Sequence, residues 1–148
     1  MSRLIYVLNG PNLNKLGVLK PEIYGLVTLA DIQRRCEKRA EMHGLAVDFR
    51  QTNFEGVLVE SCHEALEKAA GIVINPAGLG FTSIALMDAL KMFEGPTIEV
   101  HLSNPHKRES IYHDSLVSRA ATAIISGLGV DGYELALDAI SRRLQLKV

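Results

Sequence analysis

The chain has 148 residues, 47% of them hydrophobic, and a formal net charge of −1 from 16 basic and 17 acidic side chains. That length and composition fit one folded domain, residues 1–148, and exclude disorder, while the charge balance leaves no electrostatic footprint for nucleic acid or a membrane surface. No apolar run approaches the roughly 20 residues that span a bilayer, and Met1-Ser2-Arg3-Leu4 runs straight into a strand-like segment without a signal-peptide pattern, so the expected location is cytoplasmic.

Leu4-Ile5-Tyr6-Val7-Leu8 is a continuous apolar run closed by Asn9-Gly10-Pro11, which predicts a central strand with a sharp exit. A polar, Gly/Pro-marked loop extends from there to about Gly25. Thr28, with Asp31 three residues on, predicts a capped helix whose Leu29, Ile32, Cys36 and Ala40 share a face, ending at Gly44. Val47 and Phe49 alternate with polar residues as in an edge strand. Asn53 is the expected cap of a second helix carrying Leu58, Cys62, Ala65 and Ala69, and Gly71 ends it. Ile72-Val73-Ile74-Asn75 reads as a buried strand, followed by the turn Pro76-Ala77-Gly78-Leu79-Gly80 and a helix with Leu86, Leu90 and Phe93 on one side. Gly95-Pro96 breaks the chain before the strand Thr97-Ile98-Glu99-Val100-His101. A polar loop from Ser103 to about Ser118 leads to the strand Thr122–Ile125. A last helix from about Asp131 turns Tyr133, Leu137, Ile140 and Leu144 inward. Strands that alternate with helices or long loops predict a parallel α/β sheet of flavodoxin-like order, with a ligand beyond the carboxyl ends of its strands.

Three of those strand ends carry dense polar chemistry: Asn9-Gly10-Pro11-Asn12, Asn75-Pro76-Ala77-Gly78 and Glu99 through Asn104. Each alone is ordinary turn chemistry, but three at one sheet edge point to a site. Glu99 and His101, two residues apart on a strand, face the same way. A carboxylate beside an imidazole fixes its tautomer and makes it a competent general acid. His43 closes the first helix, where it suits the dipole, and His63, His106 and His113 read as surface residues. Gly127-Leu128-Gly129-Val130-Asp131-Gly132 matches a dinucleotide-binding pattern, but no further strand follows to bear the required acidic residue, so close helix–strand packing is the better explanation. Cys36 and Cys62 lack metal-ligand spacing and read as small buried thiols. No metal site is expected.

These residues resemble the type II 3-dehydroquinate dehydratase family over nearly the whole length. The markers are Asn9-Gly10-Pro11-Asn12-Leu13, Leu16-Gly17, Tyr24-Gly25, Asn75-Pro76-Ala77-Gly78, Ile98 through Asn104, and Gly127-Leu128-Gly129 with Gly132-Tyr133. The resemblance implies a flavodoxin-like three-layer sandwich with strand order 2-1-3-4-5, trimers packed into dodecamers, and no cofactor. It also implies a lyase of the shikimate-pathway, aromatic amino acid biosynthesis type, dehydrating a small cyclic keto-carboxylate through an enolate. Residue by residue, Tyr24 matches the tyrosinate base, His101 the acid, Glu99 its orienting carboxylate, and Asn12 the holder of a water that stabilises the enolate. Asn75, Ser103 and the amides near Leu102 match the carboxylate pocket, and Asp88 matches an aspartate that reaches a neighbouring subunit's site.

Three positions depart from the family pattern: Leu19 and Tyr112 stand where it has arginine, and Phe81 where it has histidine. Lys20 also replaces a usual glutamate, and is a candidate substitute for the absent lid arginine. Three readings follow: a working dehydratase, a divergent lyase or isomerase acting on a less hydroxylated ring, or a non-catalytic paralogue.

Overall fold

The computed structural model describes residues 3–19 and 21–146, and the side chains of Ile23, Tyr24 and Leu146 lie outside that description. Five parallel strands form one sheet in the order β2-β1-β3-β4-β5: β1 (Arg3–Asn9), β2 (Leu45–Gln51), β3 (Gly71–Asn75), β4 (Thr97–His101) and β5 (Ala123–Ser126). The helices are α1 (Pro21–Tyr24), α2 (Leu29–Met42), α3 (Glu55–Lys68), α4 (Ile84–Lys91) and α5 (Asp131–Leu146).

The side-chain alternation of β1 sorts the core onto two faces. Ile5 and Val7 pack with residues of α2 and α5, whereas Tyr6 and Leu8 pack with residues of α3 and α4. β1, β3 and β4 sit inside the sheet with both faces covered, which is why their sequences read as near-continuous apolar runs. Cys36 and Cys62 are buried one on each face, as expected of small core thiols, and burial pushes each thiol up to about 12. No helix of the described residues is long and apolar enough to cross a membrane.

The start of α2 follows its sequence signal. Thr28 accepts from the Asp31 amide (3.1 Å), and Asp31 accepts from the Thr28 amide (2.9 Å). The expected cap of α3 is corrected: Phe54, not Asn53, precedes it. Asn53 instead accepts from the Asn12 amide (3.0 Å) and from Gln51 (3.0 Å), tying the end of β2 to the loop after β1. The two long loops are also less irregular than their composition suggests. The first contains a 3-10 turn at Leu13–Lys15 and the short α1, and the loop after β4 contains 3-10 turns at Pro105–Lys107, Ser110–Tyr112 and Val117–Arg119.

Two glycines are dictated by close approach. A Cβ on Gly10 would lie 2.3 Å from the Pro76 carbonyl oxygen, so only glycine lets the chain leaving β1 pass the chain leaving β3. A Cβ on Gly132 would meet Val100 at 3.1 Å and Ile125 at 3.4 Å. The glycine-rich segment at Gly127–Gly132 therefore seats α5 against β4 and β5, in agreement with the packing explanation.

Candidate active site

The register places Asn9 beside Asn75 at the ends of β1 and β3, with the end of β4 next in the sheet. At this carboxyl edge lies a cleft of about 400 Å³, the size of a small-molecule site. It brings together Asn12, Asn75, Phe81, His101, Leu102, Ser103, Tyr112 and Leu19 of the residues expected from the sequence. Asp88 is exposed on α4, outside this lining. Glu99 lies outside this lining, fully buried and hydrogen-bonded to His101. The roles expected of the Tyr24 phenol and of Lys20 fall on groups outside the described residues.

The walls of the cleft are held under local strain. Asn12 (φ 74°) and Ala77 (φ 52°) are the non-glycine residues with left-handed backbone among those described, and both line it. At the second of these turns the Asn75 Oδ1 accepts from the Ala77 amide (3.2 Å). The Asn75 Nδ2 donates to the Tyr133 hydroxyl (3.0 Å), which donates onward to Asn9 Oδ1 (2.7 Å), and Asn9 Nδ2 donates to the Arg50 carbonyl (2.9 Å). This buried relay fixes which way the Asn75 amide faces, and burial pushes the Tyr133 phenol well above its ordinary range. Tyr133 was legible as an inward residue of the last helix and as part of the family resemblance; the partners of its hydroxyl carry no sequence signal.

The Glu99 carboxylate is completely buried and His101 nearly so, and the two are hydrogen-bonded through His101 Nε2. Two donors complete the carboxylate's shell: Ser115 Oγ gives a hydrogen bond to Oε2 (2.8 Å) and Ser118 Oγ one to Oε1 (2.5 Å). Burial alone would push the Glu99 carboxyl up, but the donors from His101, Ser118 and Ser115 outweigh it and hold it below the ordinary carboxylate range. A carboxylate kept ionised there anchors one ring nitrogen and leaves the other side of the imidazole to the cleft. Ser115 and Ser118 were read from the sequence only as the end of a polar loop. Because Glu99 is more acidic folded than unfolded, its ionisation stabilises the fold above the unfolded value of about 4.3, a contribution lost as pH falls through the lower folded value. Replacing both serines with alanine is expected to raise the low-pH limb of kcat/KM by about one pH unit, and to start acid unfolding at higher pH. Parallel pH–rate and circular-dichroism titrations check this, and an unmoved acid limb contradicts it.

Two cationic groups also line the cleft, Lys15 and Arg108. The Arg108 Cζ lies 3.7 Å from the centroid of the Tyr112 ring, a close cation–π contact. Among the described residues no carboxylate pairs with it. The family pattern has arginine at the positions of Leu19 and Tyr112; the loop after β4 supplies a guanidinium to the cleft from four residues before Tyr112. No group of His, Cys, Asp and Glu among the described residues is arranged to hold a metal ion.

Comparison with known proteins agrees with this geometry. Residues 3–141 match the family model described as Dehydroquinase class II. The chain is 57% identical over 139 residues to a 3-dehydroquinate dehydratase of Caulobacter vibrioides, covering 94% of this chain and 95% of that protein. It is 54% identical over 140 residues to one of Cereibacter sphaeroides, covering 95% of each. The crystal structure of the type II dehydroquinase from Propionibacterium acnes superposes with a TM-score of 0.92 at 44% identity, covering 96% of this chain and 98% of that one.

Proposed function

The chain belongs to the class II dehydroquinase family, and from that premise we propose that its cleft removes water from a cyclic keto-carboxylate of the 3-dehydroquinate type through an enolate. The observation that carries this reading is the buried, serine-braced Glu99–His101 pair opening into a cleft that also holds Asn75, Ser103 and Arg108. Tyr24 takes the proton from the carbon next to the ketone, and a water held at Asn12 stabilises the enolate oxygen. His101 then protonates the departing hydroxyl, so that the C–O bond breaks as the ring double bond forms and water leaves. Asn75, Ser103 and the Leu102 amide receive the substrate carboxylate. The chemistry is proton transfer throughout and calls for no cofactor. A non-catalytic role fits less well, because burying an ionised carboxylate is costly, and Glu99 is held ionised against an imidazole that lines the cleft.

A free tyrosine has a pKa near 10, so only about one in a thousand is ionised at neutral pH. A nearby cation lowers an acid's pKa by roughly 1–3 units. With Leu19 at the lid position, we assign that part to Arg108. The expected result is that Leu19→Arg changes kcat little, whereas Arg108→Gln lowers kcat about ten- to a thousandfold and moves upward the base ionisation below which activity falls. A pH–rate series on the wild type and both variants checks it. A large gain from Leu19→Arg with no loss from Arg108→Gln would return the deficit to the lid.

The flavodoxin-like sandwich is also read as one protomer of a homo-oligomer working in the cytoplasm, trimer-based and dodecameric by resemblance. What supports assembly is β5, whose Ala123 and Ile124 are exposed although parallel strands are ordinarily covered on both faces. Ile124 is 51% exposed and Leu128, just beyond the strand, 53%. Ile124→Lys is expected to shift the species seen by light scattering to lower mass. Asp88 then serves a neighbouring copy's cleft rather than its own.

A further inference from the structure

The wall of the cleft beside His101 is a row of stacked side chains. The Phe81 ring centroid lies 5.7 Å from that of His101, with the planes tilted by 35°. Tyr112 meets Phe81 edge-on at 5.4 Å and 86°, and Arg108 stacks over the Tyr112 ring. Each of the four lines the cleft. Phe81 has no polar atom, and Tyr112 has only its terminal hydroxyl. The hydrogen-bonding side chains come instead from the end of β3 (Asn75) and from the chain after β1 (Asn12) and after β4 (Ser103). The cleft is thus divided into one end that can satisfy a carboxylate and an enolate oxygen, and one wall of aromatic surface next to the acid.

A ring hydroxyl pressed against Phe81 loses its water and gains no partner, whereas a methylene there gains apolar contact. Dehydroquinate carries two hydroxyls on adjacent ring carbons besides the one that leaves. Building on the dehydratase reading, we propose that this cleft selects cyclic 3-oxo carboxylates whose ring carbons facing Phe81 and Tyr112 bear no hydroxyl, ahead of dehydroquinate itself. The reaction is unchanged: the base removes a proton beside the ketone, the hydroxyl on the carboxylate-bearing carbon leaves with the proton of His101 as water, and an enone acid remains. No electron acceptor or co-reactant is needed.

The experiment compares dehydroquinate with 1-hydroxy-3-oxocyclohexane-1-carboxylate, which keeps the reacting atoms and lacks the two spectator hydroxyls. Enone formation is followed by absorbance. The wild type is expected to show kcat/KM for the deoxygenated acid at least about tenfold above that for dehydroquinate, the effect of one unpaired hydroxyl. Phe81→His with Tyr112→Arg reverses that order. If the double variant fails to fold by circular dichroism, Phe81→Gln alone is expected to narrow the ratio. A wild-type preference for dehydroquinate, or a ratio that neither variant moves, overturns the proposal. If neither acid turns over, the dehydratase reading falls, and selectivity is then judged by calorimetric affinity: tighter binding of the deoxygenated acid sustains it, and tighter binding of dehydroquinate overturns it.

Discussion

Replacing His101 with alanine is expected to lower kcat by about two to four orders of magnitude, the ordinary worth of a positioned general acid. Among the described residues, the imidazole is the titratable group that both lines the cleft and reaches the buried Glu99, and none of the others is placed to take over delivery of its proton. The variant also leaves a carboxylate at 0% exposure without its ring partner, and breaking a buried pair from one side is destabilising. Ser115 and Ser118 still donate to that carboxylate, so the loss is smaller than for an unsupported charge. His101→Gln retains a hydrogen-bond donor without an acid and separates the two effects: folding should recover while turnover stays low. Stopped-flow or steady-state assays beside thermal melts check this, and wild-type kcat in either folded variant contradicts it.

Tyr24→Phe is expected to cost kcat a similar factor of about 10²–10⁴ with little change in stability, since it removes one oxygen from the base and no other group. Substrate binding should survive, because the residues proposed to receive the carboxylate come from β3 and the chain after β4, not from the segment that bears Tyr24. KM is therefore expected to stay within about threefold while kcat falls, the pattern of an interaction made only in the transition state. A variant that loses affinity and keeps kcat would move Tyr24 from the chemistry to the binding wall.

The sheet was legible because buried parallel strands write themselves as short apolar runs, and those between Leu4 and His101 end in turn residues that mark the edge where ligands bind. The α2 cap was legible because Thr28 and Asp31 satisfy each other locally. The Asn53 cap was not, since its side chain answers to Asn12, 41 residues away. The same distinction governs the site. Glu99 and His101 lie two residues apart on one strand, and strand geometry alone brings them together. Ser115, Ser118 and Tyr133 act across the fold: Tyr133 reaches Asn9 over 124 residues, and Ser118 reaches Glu99 over 19. Periodicity turns Tyr133 inward but names no partner for its hydroxyl, and nothing local names the partner of the two serines, so only the packed chain assigns them. Phe81 and Tyr112 were visible as departures from a family pattern, but their stacking into one wall with His101 and Arg108 is a fact of tertiary structure.

The division of labour between a base that makes the enolate and an imidazole that lets the hydroxyl go is tested most directly in deuterium oxide. Saturating dehydroquinate is incubated with the wild type and with His101→Ala and followed by proton NMR. The account predicts that the variant still exchanges the proton beside the ketone for deuterium while water loss falls at least about a hundredfold. Elimination by the variant at the wild-type rate, or loss of exchange and elimination together in a folded variant, would contradict it.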